Sequence, residues 1–391
     1  MLLLTIFSLA AAVAQVLLVR RALARLAPKD DSPTGPPLPG VTVIKPIYGL
    51  EENLAENLRS WLHQQYPGPV QFIFSLQDPD DPALPVARSL QDENPHLDIH
   101  VIVNPVLPGL SGKASNLFHA AAISRHPILI FSDSDIVAPP GALRALAAPV
   151  AAEPRRALAA VPIPLDSRGL GGAFMTLSVY MAVVIAWLGS MLVPGPLRRQ
   201  TGFPGGTVVL TRQGLADVGG VTAFGSHITE DLKLGRLLFA HGYTPGPGAT
   251  VDLLIGRPPF LDFWHLTVRG NRGLWGLAPG VYLFWLVVGF WHYAAAALGL
   301  LLGHTHWVFW AAVLVAARTV LLGLFIASIR PATAWTALFY PIFEAVNLAA
   351  TLWAPATMGR AVVTWRGIQY RLSSSGEIRH IVNSTGEAPP P

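Results

Sequence analysis

The chain contains no cysteine. Disulfides, thiolate nucleophiles and cysteine-based zinc or iron–sulfur centres are therefore excluded. Charge is also scarce. Asp, Glu, Lys and Arg make up 13% of 391 residues, against 52% hydrophobic residues. A soluble domain carries about 25% charged residues, so the deficit points to lipid. The scarcity is uneven: residues 41–170 read as a soluble domain, whereas residues 275–360 are almost uncharged. No dense basic stripe with interleaved aromatics is present, which argues against a nucleic-acid partner. The net charge of +4, with arginines near the ends of apolar runs, suits the anionic headgroups of a bilayer. No internal repeat of the kind found in transporters is visible, which disfavours a transporter or membrane scaffold.

What is present divides into blocks. Residues 2–19 form an apolar run interrupted in earnest only by Gln15, and Arg20, Arg21, Arg25 and Lys29 follow it. A secretory signal places its positive charges before the run, so this order predicts an uncleaved anchor. The positive-inside rule then puts residue 20 onward in the cytoplasm. Residues 30–40 are a Pro/Gly/Ser-rich linker. Next, strand-like runs at 41–45, 71–76, 98–103 and 128–132 alternate with helical patterns at 53–64, 83–93 and 113–124. This alternation predicts βαβ units, a parallel sheet core, and functional residues at the C-terminal ends of the strands.

The apolar stretch 171–193 is long enough to span a bilayer. It lies between two blocks of catalytic-looking sequence, so it is expected to dip into the interface. Two strong spans are predicted over 278–303 and 307–329. The stretch 334–353 carries Pro341, Glu344 and Asn347. It is expected to lie along the interface with its polar groups turned to water. The tail from Ser373 onward reads as disordered.

Candidate chemistry sits at the predicted strand ends. Asp133 and Asp135 follow the run Ile128–Ser132 as an Asp-x-Asp pair. Two carboxylates across a turn offer hard oxygen ligands suited to Mg²⁺ or Mn²⁺, which also hold substrate phosphates. The same pattern caps helices in ordinary turns. Gln77, Asp78, Asp80 and Asp81 follow the second strand. Asp78 and Asp80 are candidates for nucleotide contacts, while Asp81 fits a helix cap. Glu230 and Asp231 open a helical pattern after His227 and Thr229. A carboxylate there stays ionised and could accept a proton from a hydroxyl nucleophile, with N-capping by Thr229 as the plainer use.

Lys45, Lys113 and Asn116 are candidate phosphate or uridine contacts, Lys113 after the Gly-flanked stretch 109–112. Arg269 and Arg272 precede the first strong C-terminal span. They read as membrane-boundary anchors or as a diphosphate clamp. Trp365, Arg366 and Tyr370 follow the last apolar stretch, where an aromatic belt is the simplest reading.

Taken in order, these blocks resemble the ceramide glucosyltransferase family, including the related hopanoid-associated glycosyltransferases. The resemblance runs over roughly residues 1–380. It rests on Lys45-Pro46, Gln77-Asp78 through Asp80-Asp81-Pro82-Ala83, Lys113 with Asn116-Leu117, and Asp133-Ser134. It continues through Gly219-Gly220 and Glu230-Asp231 to Trp365-Arg366 and Tyr370-Arg371-Leu372. It implies an α/β, GT-A (Rossmann-like) catalytic domain with transmembrane helices at both ends. For Asp78 it implies nucleotide binding, for Asp133 metal or donor binding, and for Asp231 the role of catalytic base. One block departs from the pattern: Arg269 and Arg272 stand where an Arg-x-x-Arg-Trp motif is expected, but Gly273 replaces the tryptophan, with Trp264 and Trp275 nearby.

The expectation is an inverting, Mg²⁺- or Mn²⁺-dependent transfer from a UDP-sugar, UDP-glucose first, to a ceramide-type lipid hydroxyl. A hopanoid polyol receiving N-acetylglucosamine is the alternative. The expected layout is an anchor over residues 1–27 and a cytoplasmic catalytic domain over 28–274, with 171–193 interfacial. Membrane helices follow over 275–360, and a cytoplasmic tail over 361–391.

Overall fold

A computed structural model describes residues 1–28, 37–192, 202–358, 362–365 and 368–382. Two compact units emerge. One gathers Leu26–Pro162, Gly195–Leu254 and Thr357–Pro391; the other gathers Met1–Arg25, Ile163–Pro194 and Ile255–Ala356.

The first unit is built on an eight-stranded mixed sheet. Its strands are β1 (Val41–Pro46), β2 (Val70–Leu76), β3 (Asp98–Val103), β4 (Ile128–Ser132), β5 (Ile136–Val137), β6 (Arg156–Ser167), β7 (Thr207–Thr211) and β8 (Thr244–Gly256). Their order is β3-β2-β1-β4-β7-β6-β8-β5. As expected, the core is parallel, with β1 between β2 and β4 and β3 beside β2. β7 then pairs antiparallel with β4, and β5 antiparallel with β8. Strands β1 and β4 are buried along their whole length. Strands covered on both faces read as continuous apolar runs, which is why they were legible.

The crossover helices are Leu54–Leu62, Leu84–Glu93 and Gly112–Ile123. The first buries Leu54, Leu58, Trp61 and Leu62, a stripe at helical spacing. These residues join Val43, Phe72, Phe74, Ile130 and Val209 in one apolar core.

The tail corrects the sequence reading. β9 (Val362–Trp365), β10 (Ile368–Leu372) and β11 (Ile378–Val382) form a second, antiparallel sheet. Alternate residues Tyr370 and Leu372 face a small core with Val363, Ile378 and Ile228. The hairpin residues Ser373, Ser374, Ser375 and Glu377 are polar, and that polarity disguised the strand beyond them. Residues 383–391 lie outside the described residues.

The second unit is helical. Among the described residues, five helices are long and apolar enough to cross a membrane: Leu2–Leu26, Gly169–Leu192, Pro279–Leu301, His306–Ala327 and Pro331–Ala356. The chain therefore has the character of a membrane protein. Within Gly169–Leu192, residues Val179–Trp187 are π-helical. The amide of Gln15, the polar break in the first apolar run, donates to the Ile185 carbonyl there at 3.0 Å.

Glu344 corrects a second expectation. It does not turn to water. It is buried, and its carboxylate accepts from Arg318 Nη1 at 3.0 Å and from the Tyr340 hydroxyl at 2.9 Å, with His292 Nε2 at 3.5 Å. The sequence reading relieved the cost of a lone charge in hydrocarbon by turning Glu344 to water; here the inward pair with Arg318 offsets that cost instead.

Candidate active site

Three elements of the sheet unit bring charge together. β4 ends at Ser132 and delivers Asp133. The helix Gly112–Ile123 opens with Lys113, and the helix Glu230–Ala240 opens with Glu230 and Asp231. Lys113 Nζ lies 2.9 Å from Asp133 Oδ1, 2.9 Å from Glu230 Oε1 and 3.1 Å from Asp231 Oδ2. One ammonium thus serves three carboxylates. Burial works against the Lys113 charge. Asp133, Asp231 and Glu230 outweigh it and hold the ammonium well above the ordinary lysine range. Asp231 responds in the opposite sense. Its burial, with Glu230 and Asp133 beside it and only a share of Lys113, pushes its carboxyl up to about 7. A carboxylate so poised can exchange a proton near neutrality.

Two residues expected as donor contacts have internal partners instead. Lys45 is fully buried. Its ammonium donates to Ser132 Oγ at 3.2 Å and to the carbonyls of Asp133 and Ile136, and it lies over the Trp61 ring. Burial pulls its pKa down to about 7, against the pull of Asp135 and Asp133. Lys45 thus supports the Asp133–Ile136 turn from below. Asn116 is buried too, donating to the Ile47 carbonyl at 3.3 Å and standing 3.4 Å from Ser75 Oγ. It ties its helix to β1 and β2. Lys45 sits at a strand end and Asn116 near a helix start, as expected, and both are buried.

Asp78 and Asp80 are exposed after β2, and Asp78 Oδ1 accepts the Asp80 N–H at 2.9 Å. Asp81 is buried and accepts the N–H groups of Ala83 and Gly49; it ties the turn before the helix Leu84–Glu93 to the loop after β1, while the N-cap position falls to Ala83 and not to Asp81 as expected. Asp135 is half-buried on the turn after Asp133, and its carbonyl accepts the Leu254 N–H at 3.0 Å. Among the described residues, no group of three His, Asp or Glu side chains could hold a metal by itself.

Arg269 and Arg272 lie on the helix Phe260–Leu277, which belongs to the helical unit. Residues 163–194 belong there as well, so the stretch expected as one catalytic domain is shared between the two units. Tyr370 is in the sheet unit, and its hydroxyl accepts the Gly112 N–H at 3.3 Å. Trp365 lies on β9, and Arg366 falls outside the described residues.

Two features escaped the sequence reading. Gly205 and Gly206 both have positive φ, and the Gly206 carbonyl accepts the Asp133 N–H at 2.8 Å. A Cβ at Gly205 would stand 3.1 Å from Asp231 Oδ2, so a bare backbone is needed beside the carboxylates. The Gly-Gly pair ahead of β7 was the available signal. The second feature is His227, which had served only as a landmark beside Glu230.

A parallel-cored sheet with carboxylates gathered from a strand end and a helix start, accompanied by apolar helices, is a GT-A-like glycosyltransferase fold on a membrane-type chain. The chain belongs to glycosyl transferase family 21, whose description matches residues 1–378. It is 28% identical to ceramide glucosyltransferase 1 of Caenorhabditis elegans over 213 residues, covering 53% of this chain and 43% of that one. It is 30% identical to the ceramide glucosyltransferase of Komagataella phaffii over 115 residues, covering 28% and 22% respectively. The chain spans less than half the length of these curated relatives. Among solved structures it is similar to the mannosyltransferase PcManGT from Pyrobaculum calidifontis in complex with GDP-Man and Mn²⁺. That match has a TM-score of 0.46 and 19% identity, and covers 89% of this chain and 98% of that one.

Proposed function

We propose that this chain transfers a sugar from a nucleotide-diphosphate donor, UDP-glucose first, to the hydroxyl of a membrane lipid of the ceramide type, with inversion. The observation that carries the reading is the Asp231 carboxyl, raised to about 7 and held 3.1 Å from Lys113. Ionised Asp231 takes the proton from the acceptor hydroxyl as that oxygen bonds to the anomeric carbon. The bond from the anomeric carbon to the donor phosphate breaks in the same step, and the nucleoside diphosphate leaves with the electron pair. Single displacement inverts the anomeric centre. Lys113 holds Asp231 in place and tempers its charge, while burial, with Glu230 beside it, keeps its proton affinity high.

Asp133 and Asp135 fit Mg²⁺ or Mn²⁺ on the chemistry of the donor set. Both are hard carboxylate donors, and Asp133 already holds a cation, the Lys113 ammonium. Such ions need only one or two protein carboxylates when phosphates and water complete the shell. When bound, the ion would neutralise charge developing on the diphosphate. Asp78 and Asp80, exposed at the end of β2, are proposed to contact the nucleotide.

The family relatives named ceramide glucosyltransferase favour ceramide as acceptor. A hopanoid polyol taking N-acetylglucosamine is the second reading, because both acceptors are amphiphiles and the motifs do not encode which is used. Membranes containing the chain, incubated with labelled UDP-glucose or UDP-N-acetylglucosamine and with ceramide or a hopanoid polyol, separate the two. Labelled glucosylceramide supports the first reading, and labelled hopanoid the second. No labelled lipid from any pairing overturns both. The catalytic unit is proposed to face the cytoplasm, following Arg20, Arg21 and Arg25 after the first apolar helix.

A further inference from the structure

The first turn of the helix Glu230–Ala240 carries the reacting carboxylates, yet its own cap is weak. Thr229 stands at the N-cap position and makes no side-chain capping bond. Helix starts leave several N–H groups without helical partners, and something must hold them. Here the Thr229 N–H donates to His227 Nδ1 at 3.2 Å, and the Thr229 hydroxyl lies 3.1 Å from the same nitrogen. The other ring nitrogen, Nε2, donates to the Ser375 carbonyl at 2.8 Å. These partners fix one neutral tautomer, with the proton on Nε2. His227 is buried, and burial lowers its pKa, in keeping with a neutral ring.

Ser375 lies in the hairpin between β10 and β11, and that hairpin grips the whole approach to the helix. The Ile228 N–H donates to the Gly376 carbonyl at 3.0 Å, and the Ile378 N–H to the Ser226 carbonyl at 2.7 Å. Lys233 pairs with Glu377 at 3.2 Å. Gly376 has φ +86, and a Cβ there would meet His227 Nε2 at 2.8 Å. Only a glycine allows both this conformation and this approach. The same sheet reaches the opposite wall of the site, where the Tyr370 hydroxyl accepts the N–H of Gly112, the residue before Lys113. The small C-terminal sheet therefore touches both helix starts that meet at the Lys113–Asp231 contact.

We infer that the C-terminal sheet is a clamp that positions Asp231 against Lys113, with His227 as its central positioning residue and Tyr370 as its second anchor. This deepens the proposed function and rests on its assignment of Asp231 as base. His227 touches no reacting atom. It holds the helix start to the hairpin, and the hairpin holds both walls in register. A displacement of about 1 Å at a reacting group can cost on the order of 100-fold in rate, so a clamp remote from the chemistry can govern turnover.

The test uses the full chain in membranes with the labelled-donor assay. His227→Ala removes both ring contacts. It should lower kcat roughly 10- to 100-fold and leave the donor KM within about twofold. Amide exchange at Ile228, Thr229 and Ile378 should quicken, while exchange in β1 and β4 stays slow. His227→Asn, which restores an acceptor close to where Nδ1 lies, should recover part of the loss. Tyr370→Phe keeps the ring in its core and deletes only the hydroxyl. It should show the same kcat-selective loss, about 3- to 10-fold, and it serves if His227→Ala does not fold. Wild-type kcat in both His227→Ala and Tyr370→Phe would overturn the clamp. Unchanged exchange at Ile228 and Ile378 in a folded His227→Ala would do the same. Asp231→Asn is run beside them. Full turnover in that variant strikes the assignment of the base, and the exchange data then judge the clamp by themselves.

Discussion

Both units bury carboxylates, but they balance them differently. In the helical unit Glu344 meets one guanidinium, from Arg318, with the hydroxyls of Tyr340 and Tyr293 and the His292 ring beside it. The charges cancel. In the sheet unit three carboxylates, from Asp133, Glu230 and Asp231, share the single ammonium of Lys113. The charges do not cancel, and burial, with the neighbouring carboxylates adding to it, raises Asp231. A balanced buried pair is a structural device, whereas an unbalanced cluster holds a group ready to change its protonation state. The difference separates what keeps this chain folded from what lets it act.

The sharpest break of that comparison is Asp231→Asn. Loss of a general base typically costs about 100- to 10,000-fold in rate. Turnover should fall by that factor while calorimetric binding of UDP stays close to wild type. Wild-type turnover would remove Asp231 from the mechanism. The same group makes a pH prediction. Only ionised Asp231 accepts a proton, so kcat should rise as pH increases through about 7. Stability should move the other way. The folded carboxyl sits above its unfolded value of 3.8, so its proton-linked stabilisation is full below that value and is lost as pH rises through about 7. Thermal midpoints should fall from pH 5 to about 7 and level off above it, where activity approaches its plateau. Asp231→Asn should flatten that fall.

Arg318→Leu breaks the balanced pair instead. It strands the Glu344 charge, and removing one partner of a buried pair costs about 3–5 kcal/mol. The double variant Arg318→Leu with Glu344→Leu should recover most of that loss, because an apolar pair of similar volume needs no partner. Thermal unfolding in detergent measures both. A double variant no better than the single one would show that Arg318 matters through its other bond, to the Gly289 carbonyl.

A smaller effect is expected from Asp133→Ala. This variant should weaken metal-dependent UDP binding, measured by calorimetry with and without Mn²⁺, and should free Lys113 from one of its three partners. Unchanged metal-dependent affinity would mean that Asp133 serves only to seat Lys113.

Much of the sheet unit was legible because its physics is local. β3 and β4 fall where their apolar runs lie, and Asp133 and Asp231 sit at the strand end and helix start that their flanking patterns implied. What was not legible depends on layers. Lys45 at a strand end and Asn116 near a helix start share the addresses of the site residues, but Trp61 and the Asp133–Ile136 turn cover Lys45, and Ser75 and Ile47 engage Asn116. No one-dimensional pattern separates the rim of a sheet from the layer just under it. The C-terminal strands were hidden for another reason. Their core is completed by Ile228, more than a hundred residues upstream, so the tail alone shows too little apolar surface to fold.

The last prediction concerns which side of the bilayer the chain visits. The sheet unit is left and rejoined twice, through residues 163–194 and through residues 255–356. If that unit lies on one side of a membrane, each excursion must cross an even number of times. The first holds one candidate span, Gly169–Leu192, which therefore enters and returns, or lies in the interface. The second holds three, Pro279–Leu301, His306–Ala327 and Pro331–Ala356, of which two at most can cross. The third is the one expected to return. It begins with a 3₁₀ stretch, Pro331–Phe339, and its Glu344 is held by Arg318 on the preceding helix. That bond replaces the water-facing geometry first expected of it and leaves the parity requirement intact. Arg371 and Arg379 then lie on the cytoplasmic side with Arg20, Arg21 and Arg25, as the positive-inside rule requires. Ser374 is exposed in the hairpin and the chain has no cysteine, so Ser374→Cys gives one reporter with little expected effect on folding or turnover. A membrane-impermeant thiol reagent should label it only after lysis. Labelling of intact cells from outside would put the C-terminal sheet across the membrane from the residues it is bonded to, and would sink the topology.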